Sequence, residues 1–275
     1  MLRDWKLTLG LLIVLLIAAA ALLGPRFIDR AATQPVYAPF SRPPSVEYPL
    51  GTDNVGRDLF ALLVYSLWPT LTIGLIAGSV GMAIGASLGL ISGYVGGAVD
   101  VVVRLISDVA LTVPTFLVII LIASLTRTSS IEGTALIVGL LAWAGTARAI
   151  RAQTLSLRER AFVRVAKLSH LSDIEIIFRE IMPNLAPYLL AGFVGAIAEG
   201  ILASVGLQLL GIGPLLTPNI GMTLNNAFVG GAMVRGLWWW WSPPVIVLGL
   251  LFFATFLISL ALDEIANPRL RGEVL

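Results

Sequence analysis

The stretch R-A-I-R-A-Q-T-L-S-L-R-E-R-A-F-V-R-V-A-K-L-S-H-L-S-D-I-E-I-I-F-R-E-I-M-P-N, Arg148 to Asn184, is a basic island in an apolar chain. Seven cations fall in it: Arg148, Arg151, Arg158, Arg160, Arg164, Lys167 and Arg179. On either side the sequence is poor in charge. Of 275 residues, 57% are hydrophobic and 12% charged, whereas a soluble domain carries about 25% charged residues. Mean hydropathy is +0.93. The 27 Gly and 15 Pro fit the same picture, since both are commoner in transmembrane helices than in soluble ones. The bilayer is therefore the main solvent.

A span needs about 20 apolar residues. Six segments qualify: Leu7–Gly24, Pro69–Gly93, Val99–Leu125, Gly133–Ala149, Leu185–Leu210 and Val245–Leu262. Lipid offers no partner to an unpaired backbone group, so all are expected as helices. The fold class is thus an all-α polytopic membrane protein with six transmembrane helices. Arg3 and Lys6 before the first apolar run would suit a secretory signal peptide. The run is longer than the usual signal core and further spans follow, so a retained first span is expected.

Cations in the loops set orientation. With both termini cytoplasmic, the inside holds Arg3, Lys6, Arg269, Arg271 and the seven cations of the island, and the outside holds Arg26, Arg30, Arg42, Arg57, Arg127 and Arg235. Eleven against six favours this arrangement. Residues 1–68 then form the first helix and an outer Pro-rich loop, 69–263 the main transmembrane unit with its inner loop 148–184, and 264–275 a cytoplasmic tail. Pro35, Pro39, Pro43, Pro44 and Pro49 argue for an extended outer loop. Gly211 to Pro244 is a second outer segment, placed by its turn residues either dipping into the membrane or capping a cavity. Trp68 and the tract Trp238-Trp239-Trp240-Trp241 are expected at the outer headgroup layer, where indole rings settle.

Within the inner loop, Arg160 to Leu168 reads as a helix. Ile174, Ile177, Phe178 and Ile181 make an apolar stripe at i, i+3, i+4, i+7. Pro183 is expected to break the chain before the fifth span. Two short helices with a bend near His170-Leu171 follow from this. An amphipathic pair beneath a bundle needs something to pack against.

Catalytic signatures are missing. There is no G-x-x-x-x-G-K-S/T, and the two lysines, Lys6 and Lys167, do not follow glycine, so the chain carries no P-loop. No H-E-x-x-H or G-x-S-x-G is present. There is no Cys, and the single His170 cannot build a His-rich metal site. A net charge of +2 gives no reason to expect a nucleic-acid partner. Asp100, Arg104 and Asp108 stack at i, i+4, i+8 on one helical face, which suggests a mutually neutralising ladder. Glu199 lies about 20 Å along the fifth helix, and an acid at that depth is a candidate pathway group. Ala77, Gly81, Gly85, Gly89 and Gly93 form a small-residue stripe suited to close helix packing.

G-T-D-N-V-G-R-D at Gly51 to Asp58, G-L-I-S-G-Y-V-G-G at Gly89 to Gly97 and the run from Phe162 to Asn184 together resemble the inner-membrane permeases of binding-protein-dependent ABC importers. The resemblance is to the C-type permease of the dipeptide and oligopeptide branch, and A-L-D-E-I-A-N-P-R-L-R-G at Ala261 to Gly272 is similar to that branch's ending. It implies a type I, methionine-permease-like transmembrane domain. It implies a second, homologous permease chain as heterodimer partner, two ATP-binding subunits that hold ATP and Mg, and an extracytoplasmic substrate-binding protein. No cofactor belongs to this chain itself. The location implied is the cytoplasmic membrane of a bacterium or archaeon. The cargo implied is di- or oligopeptide, with nickel, glutathione, sugars and opines carried by other members of the branch.

The family's E-A-A-x-x-x-G element forms a coupling helix seated in the ATPase. Its Glu falls on Arg164, its alanines on Val165 and Ala166, and its Gly on His170. Only Ala166 keeps the pattern. Arg164 inverts the sign of the contact, which calls for an acidic or neutral group on the partner. His170 must either accept a positive φ or sit in a different bend. The coupling residues implied are Arg160, Phe162, Val163, Arg164, Ala166, Lys167, His170, Ser172 and Asp173. The alternative is an ion-coupled secondary transporter using Glu199 and Asp108. That class needs symmetric broken helices, and no internal repeat is visible.

Overall fold

Glycine places one helix at the centre of the bundle. In the computed structural model, which describes residues 5–266, helix α1 (Trp5–Leu23) leads through an outer loop to α2 (Leu59–Val95). The small-residue stripe of α2 lies against α5 (Ile131–Leu141) and α6 (Trp143–Arg158). A Cβ built on Gly85 would stand 2.7 Å from the Thr146 Cβ, and one on Gly89 would stand 2.7 Å from the Ala147 carbonyl oxygen. Gly93 is equally tight, 2.7 Å from the Thr154 Cβ. On the opposite face Gly78 is closed by Ile197, whose backbone nitrogen would lie 2.8 Å from an added Cβ. That residue belongs to α9 (Met182–Leu209). The backbones therefore meet on both sides of α2, as small residues permit.

Between α2 and α5 run α3 (Gly97–Thr112) and α4 (Thr115–Thr126). The third span was expected as one helix, and here it is bent by 79°. Val113 takes φ −89° and ψ 129° ahead of Pro114, because a residue before proline is pushed out of the helical region. The fourth span is also bent, by 44°, at Ala142. Among the described residues, four helices are long and apolar enough to cross a bilayer, or six if each bent pair counts as one span. Helix α6 continues to Arg158, so Arg148, Arg151 and Arg158 are helical residues and not loop residues as the sequence suggested.

The inner segment contains α7 (Ala161–Leu168) and α8 (Asp173–Glu175), followed by a π-helical turn Ile176–Ile181 that joins α9 directly. The expected break at Pro183 does not occur. A π turn closes i→i+5 bonds, and Met182 N–H bonds to the Ile177 carbonyl in this way. The wider turn next to Pro183 carries the helix past a residue that has no N–H to give. It also re-phases the apolar stripe. Ile176, Ile177 and Ile181 are buried, whereas Ile174 and Phe178 are 69% and 61% exposed.

On the outer side α10 (Ile220–Val229) is buried along most of its length, with Asn219 as its N-cap accepting from Met222 N–H. The second outer segment thus folds onto the bundle. The tryptophan tract begins α11 (Trp238–Ala266) and departs from expectation. Trp240 is 1% exposed among Leu59, Leu62, Met222 and Leu237, and Trp239 and Trp241 pack beside it. Trp238 and Trp68 remain exposed as anchors should be. An indole suits a core as well as an interface, so the tract alone does not distinguish them.

The loop before α2 is ordered by G-T-D-N-V-G-R-D. Buried Asp53 accepts from the N–H groups of Val55 and Arg57 and pairs with the Arg57 guanidinium. Asp58 caps α2 by accepting from Phe60 N–H at 2.8 Å. Its burial raises its carboxyl pKa, against the lowering effect of the Phe60 and Ala61 N–H groups. Lys6 pairs with Glu264, which puts the start of α1 and the end of α11 at the same end of the bundle. Arg3, Arg269, Arg271 and the residues from Asn267 on lie outside the described residues.

The packing of α2 sets an expectation. Gly89→Leu should destabilise the chain by about 1–3 kcal/mol, the usual cost of overpacking, read as a lower thermal midpoint in detergent. Gly249→Leu, where nothing lies within 4 Å of an added Cβ, should leave that midpoint unchanged.

Candidate functional site

The basic island folds into a shelf with a dry inner side and an exposed apolar outer side. Val163 and Ala166 of α7 are buried in a cluster with Leu90, Ile150, Ile176 and Ile181, and Phe162 and Leu171 pack against it. These residues hold α7 to the bundle. The opposite side carries Val165 at 61% and Leu168 at 79% exposure. Arg164, Lys167, His170, Ser172 and Asp173 are exposed on the same shelf, as are Ile174 and Phe178. Arg160 is the N-cap residue of α7, without a side-chain cap bond.

Local chemistry explains the bend. His170 has φ +60°, the left-handed conformation that ends many helices. His170 N–H bonds to the Lys167 carbonyl at 3.1 Å and Leu171 N–H to the Ala166 carbonyl at 3.3 Å. That pair of bonds is a Schellman motif, which serves the last carbonyls of α7. Of the two alternatives open for His170, the structure takes the positive φ. Two residues on, Ser172 and Glu175 form a capping box. Ser172 N–H donates to Glu175 Oε2 at 3.0 Å, and Glu175 N–H donates to Ser172 Oγ at 3.3 Å. Arg164 folds back so that Nη2 donates to the Glu159 carbonyl at 3.0 Å, serving the C-terminal end of α6.

One residue absent from the sequence-based set ties this shelf to the bundle. The Tyr94 hydroxyl, in the last turn of α2, donates to Asp173 Oδ1 at 2.9 Å. The Lys167 ammonium stands 5.1 Å from the centre of the Tyr94 ring, within cation–π range. Arg158 Nη1 donates to the Tyr94 carbonyl at 3.0 Å. Tyr94 and Asp173 are 79 residues apart, so no local spacing reveals the pair. Only its place in G-L-I-S-G-Y-V-G-G drew attention to that turn.

The charges of α3 do not neutralise one another along their own helix. Asp100 pairs with Arg151 and Asp108 with Arg148, both on α6. Arg104 lines a small cavity between the two helices with Ser107, Asp108, Arg148 and Arg151. An acid on one helix facing an arginine on the next gives shorter reach than the i, i+4 ladder, so the pairing runs between helices. Glu199 is exposed and has no ion-pair partner among the described residues. It borders a groove of about 350 Å³ lined by Gly145, Gly192, Gly195, Tyr188, Ser259 and Asp263 among others. No group of three potential metal ligands occurs among the described residues.

Residues 85–272 match the family described as the binding-protein-dependent transport system inner membrane component. The chain belongs to this family. Its members are permease subunits of ABC importers and not enzymes, and this chain is a transmembrane permease subunit of that kind. It is similar to the oligopeptide transport system permease protein OppC of Lactococcus lactis subsp. lactis, with 30% identity over 221 residues, 80% of this chain and 75% of the relative. OppC of Mycobacterium bovis is 29% identical over 207 residues, 75% of this chain and 70% of its own length. A Brucella abortus relative is 30% identical over 288 residues, 99% of this chain and 91% of its own, and its name assigns it provisionally to a peptide transport system. The family places the chain in a membrane and in an ATP-driven importer. It leaves the ion-coupled reading of Glu199 and Asp108 without support.

The cap at His170 is open to test. His170→Gly should be neutral or stabilise the segment by about 1 kcal/mol, the cost a side chain bears in the left-handed region. His170→Val should loosen it, measured as faster proteolytic cleavage between α7 and α8.

Proposed function

We propose that this permease and a second, homologous permease chain form the route by which di- or oligopeptides enter the cell. An extracytoplasmic binding protein delivers the cargo. Two ATP-binding subunits, which hold the ATP and Mg, dock on the inner shelf of the two permeases. The setting is the cytoplasmic membrane of a bacterium or archaeon, with both termini in the cytoplasm. The relatives' names support the peptide cargo, and the cation count of the inner segment supports the orientation.

One observation carries the docking surface. Val165, Leu168, Ile174 and Phe178 are exposed on a segment whose other side is firmly packed. Apolar side chains held out on a rigid, charged shelf mark an interaction site. Arg164, Lys167, His170, Ser172 and Asp173 rim them, and Arg160 stands at the head of α7. The usual acidic contact of the family is replaced. Arg164 is occupied by the Glu159 carbonyl, so the apolar residues supply more of the contact, and the partner subunit offers a neutral or acidic rim.

Arg164, Lys167 and Asp173 replaced together by Ala should uncouple ATP hydrolysis from uptake or prevent assembly. The checks are peptide uptake in membrane vesicles and co-purification of the ATP-binding subunits. Unchanged uptake with all three replaced would remove the shelf from the mechanism.

A further inference from the structure

We infer that Tyr94 is a positioning residue that transmits displacement of the docking shelf to the central helix α2. The inference rests on the docking reading and adds the residue through which the shelf acts. Two hydrogen bonds, a cation–π contact and apolar packing converge on Tyr94 in the last turn of α2. The hydroxyl holds Asp173 at the start of α8, and the ring face meets Lys167 near the end of α7. The backbone carbonyl accepts from Arg158 at the end of α6. The ring itself is buried beside Val163, Ala166, Ile176 and Ile177. Both helices of the shelf are thereby fastened to the Tyr94 side chain, and the end of α6 to its backbone carbonyl.

The attachment is asymmetric. Val163, Ala166 and the isoleucines provide non-directional packing, which permits the shelf to slide over the bundle. The Tyr94 hydroxyl provides a directional bond to a charged acceptor, among the stronger kinds of hydrogen bond. It sits at the inner end of α2, whose glycines already lock that helix to α6 and α9. A push on α7 or α8 that keeps the Tyr94–Asp173 bond must move α2. Without the bond, a push on α7 is taken up as slip between apolar surfaces, and only the part that enters the continuous helix from α8 into α9 still reaches α2. Tyr94 itself touches neither nucleotide nor cargo.

The chain has no cysteine, so a single introduced thiol reports on one place. Gly195 lines the groove beside Glu199, with nothing within 4 Å of an added Cβ. The experiment uses the whole transporter, purified with its ATP-binding subunits and carrying Gly195→Cys. Maleimide labelling of this chain is timed without nucleotide and with ATP plus vanadate. With Tyr94 present, the labelling rate should change on trapping. In Tyr94→Phe the subunits should still co-purify, and the change should shrink at least about five-fold, the low end of coupling between distant sites. An undiminished change in Tyr94→Phe overturns the inference. Should Tyr94→Phe fall apart, Tyr94→Leu, which also removes the hydroxyl and leaves the docking rim intact, is scored in the same way. Loss of assembly in both overturns it too, because the bond would then build the interface and not transmit through it. Failure of the unsubstituted chain to bring down ATP-binding subunits is a different result. It removes the docking reading, and this inference with it.

Discussion

Close approach of backbones along α2 is the constraint on which the rest of the structure depends. In lipid there is no hydrophobic force to press helices together, so contact must come from fit. Gly85, Gly89 and Gly93 let α6 come within van der Waals reach of the α2 backbone, and Gly74 and Gly78 do the same for α9. Larger residues at these points would separate the three helices and open the buried cluster of Leu90, Tyr94, Ile150 and Ile181. That cluster is the floor on which α7 rests. The shelf of α7 and α8 therefore takes its position from a stripe of side chains that are absent.

The bilayer made much of this fold readable. It demands long apolar helices with no unpaired backbone, and the six apolar runs mark them with soft ends. The bends were harder. Proline is tolerated inside transmembrane helices, so Pro114 does not by itself divide the third apolar run, and Ala142 carries no mark at all. The apolar stripe from Ile174 to Ile181 was misphased because a period of 3.6 residues does not hold across a π turn. The tryptophan tract was assigned to the headgroup layer because an amphipathic ring satisfies either environment, and only the neighbours of Trp240 decide.

The candidate site was legible in its location and its punctuation. The bend near His170 was expected, and His170 stands where a left-handed residue is required, whereas the capping box of Ser172 and Glu175 emerges only in the structure. What the sequence did not separate was side from side. Val163 and Ala166 share α7 with Arg164 and Lys167, yet the first two are anchors and the second two face out. Long-range pairs were out of reach altogether. Asp100 and Asp108 appeared to answer Arg104 because all three share a helix, whereas their partners lie on α6.

These contacts divide the molecule into parts that are tied together and points that are not. Helix α2 runs 37 residues, roughly 55 Å at the usual rise, from the Asp58 cap to Tyr94. Its outer end is set by the Asp53–Arg57 turn, which Trp239 covers by donating from Nε1 to the Thr52 carbonyl. Its inner end is set by the shelf. The Asp100–Arg151 and Asp108–Arg148 pairs bind α3 to α6 on the inner side of the Pro114 bend, and they stop there. Helix α4, beyond that bend, has no such tie among the described residues. Helices α2, α3 and α6 are thus tied to one another, and the 79° and 44° bends at Pro114 and Ala142 interrupt the spans beyond those ties. The groove beside Glu199 is bordered by Ala142 and Gly145, so it lies next to one of those two points.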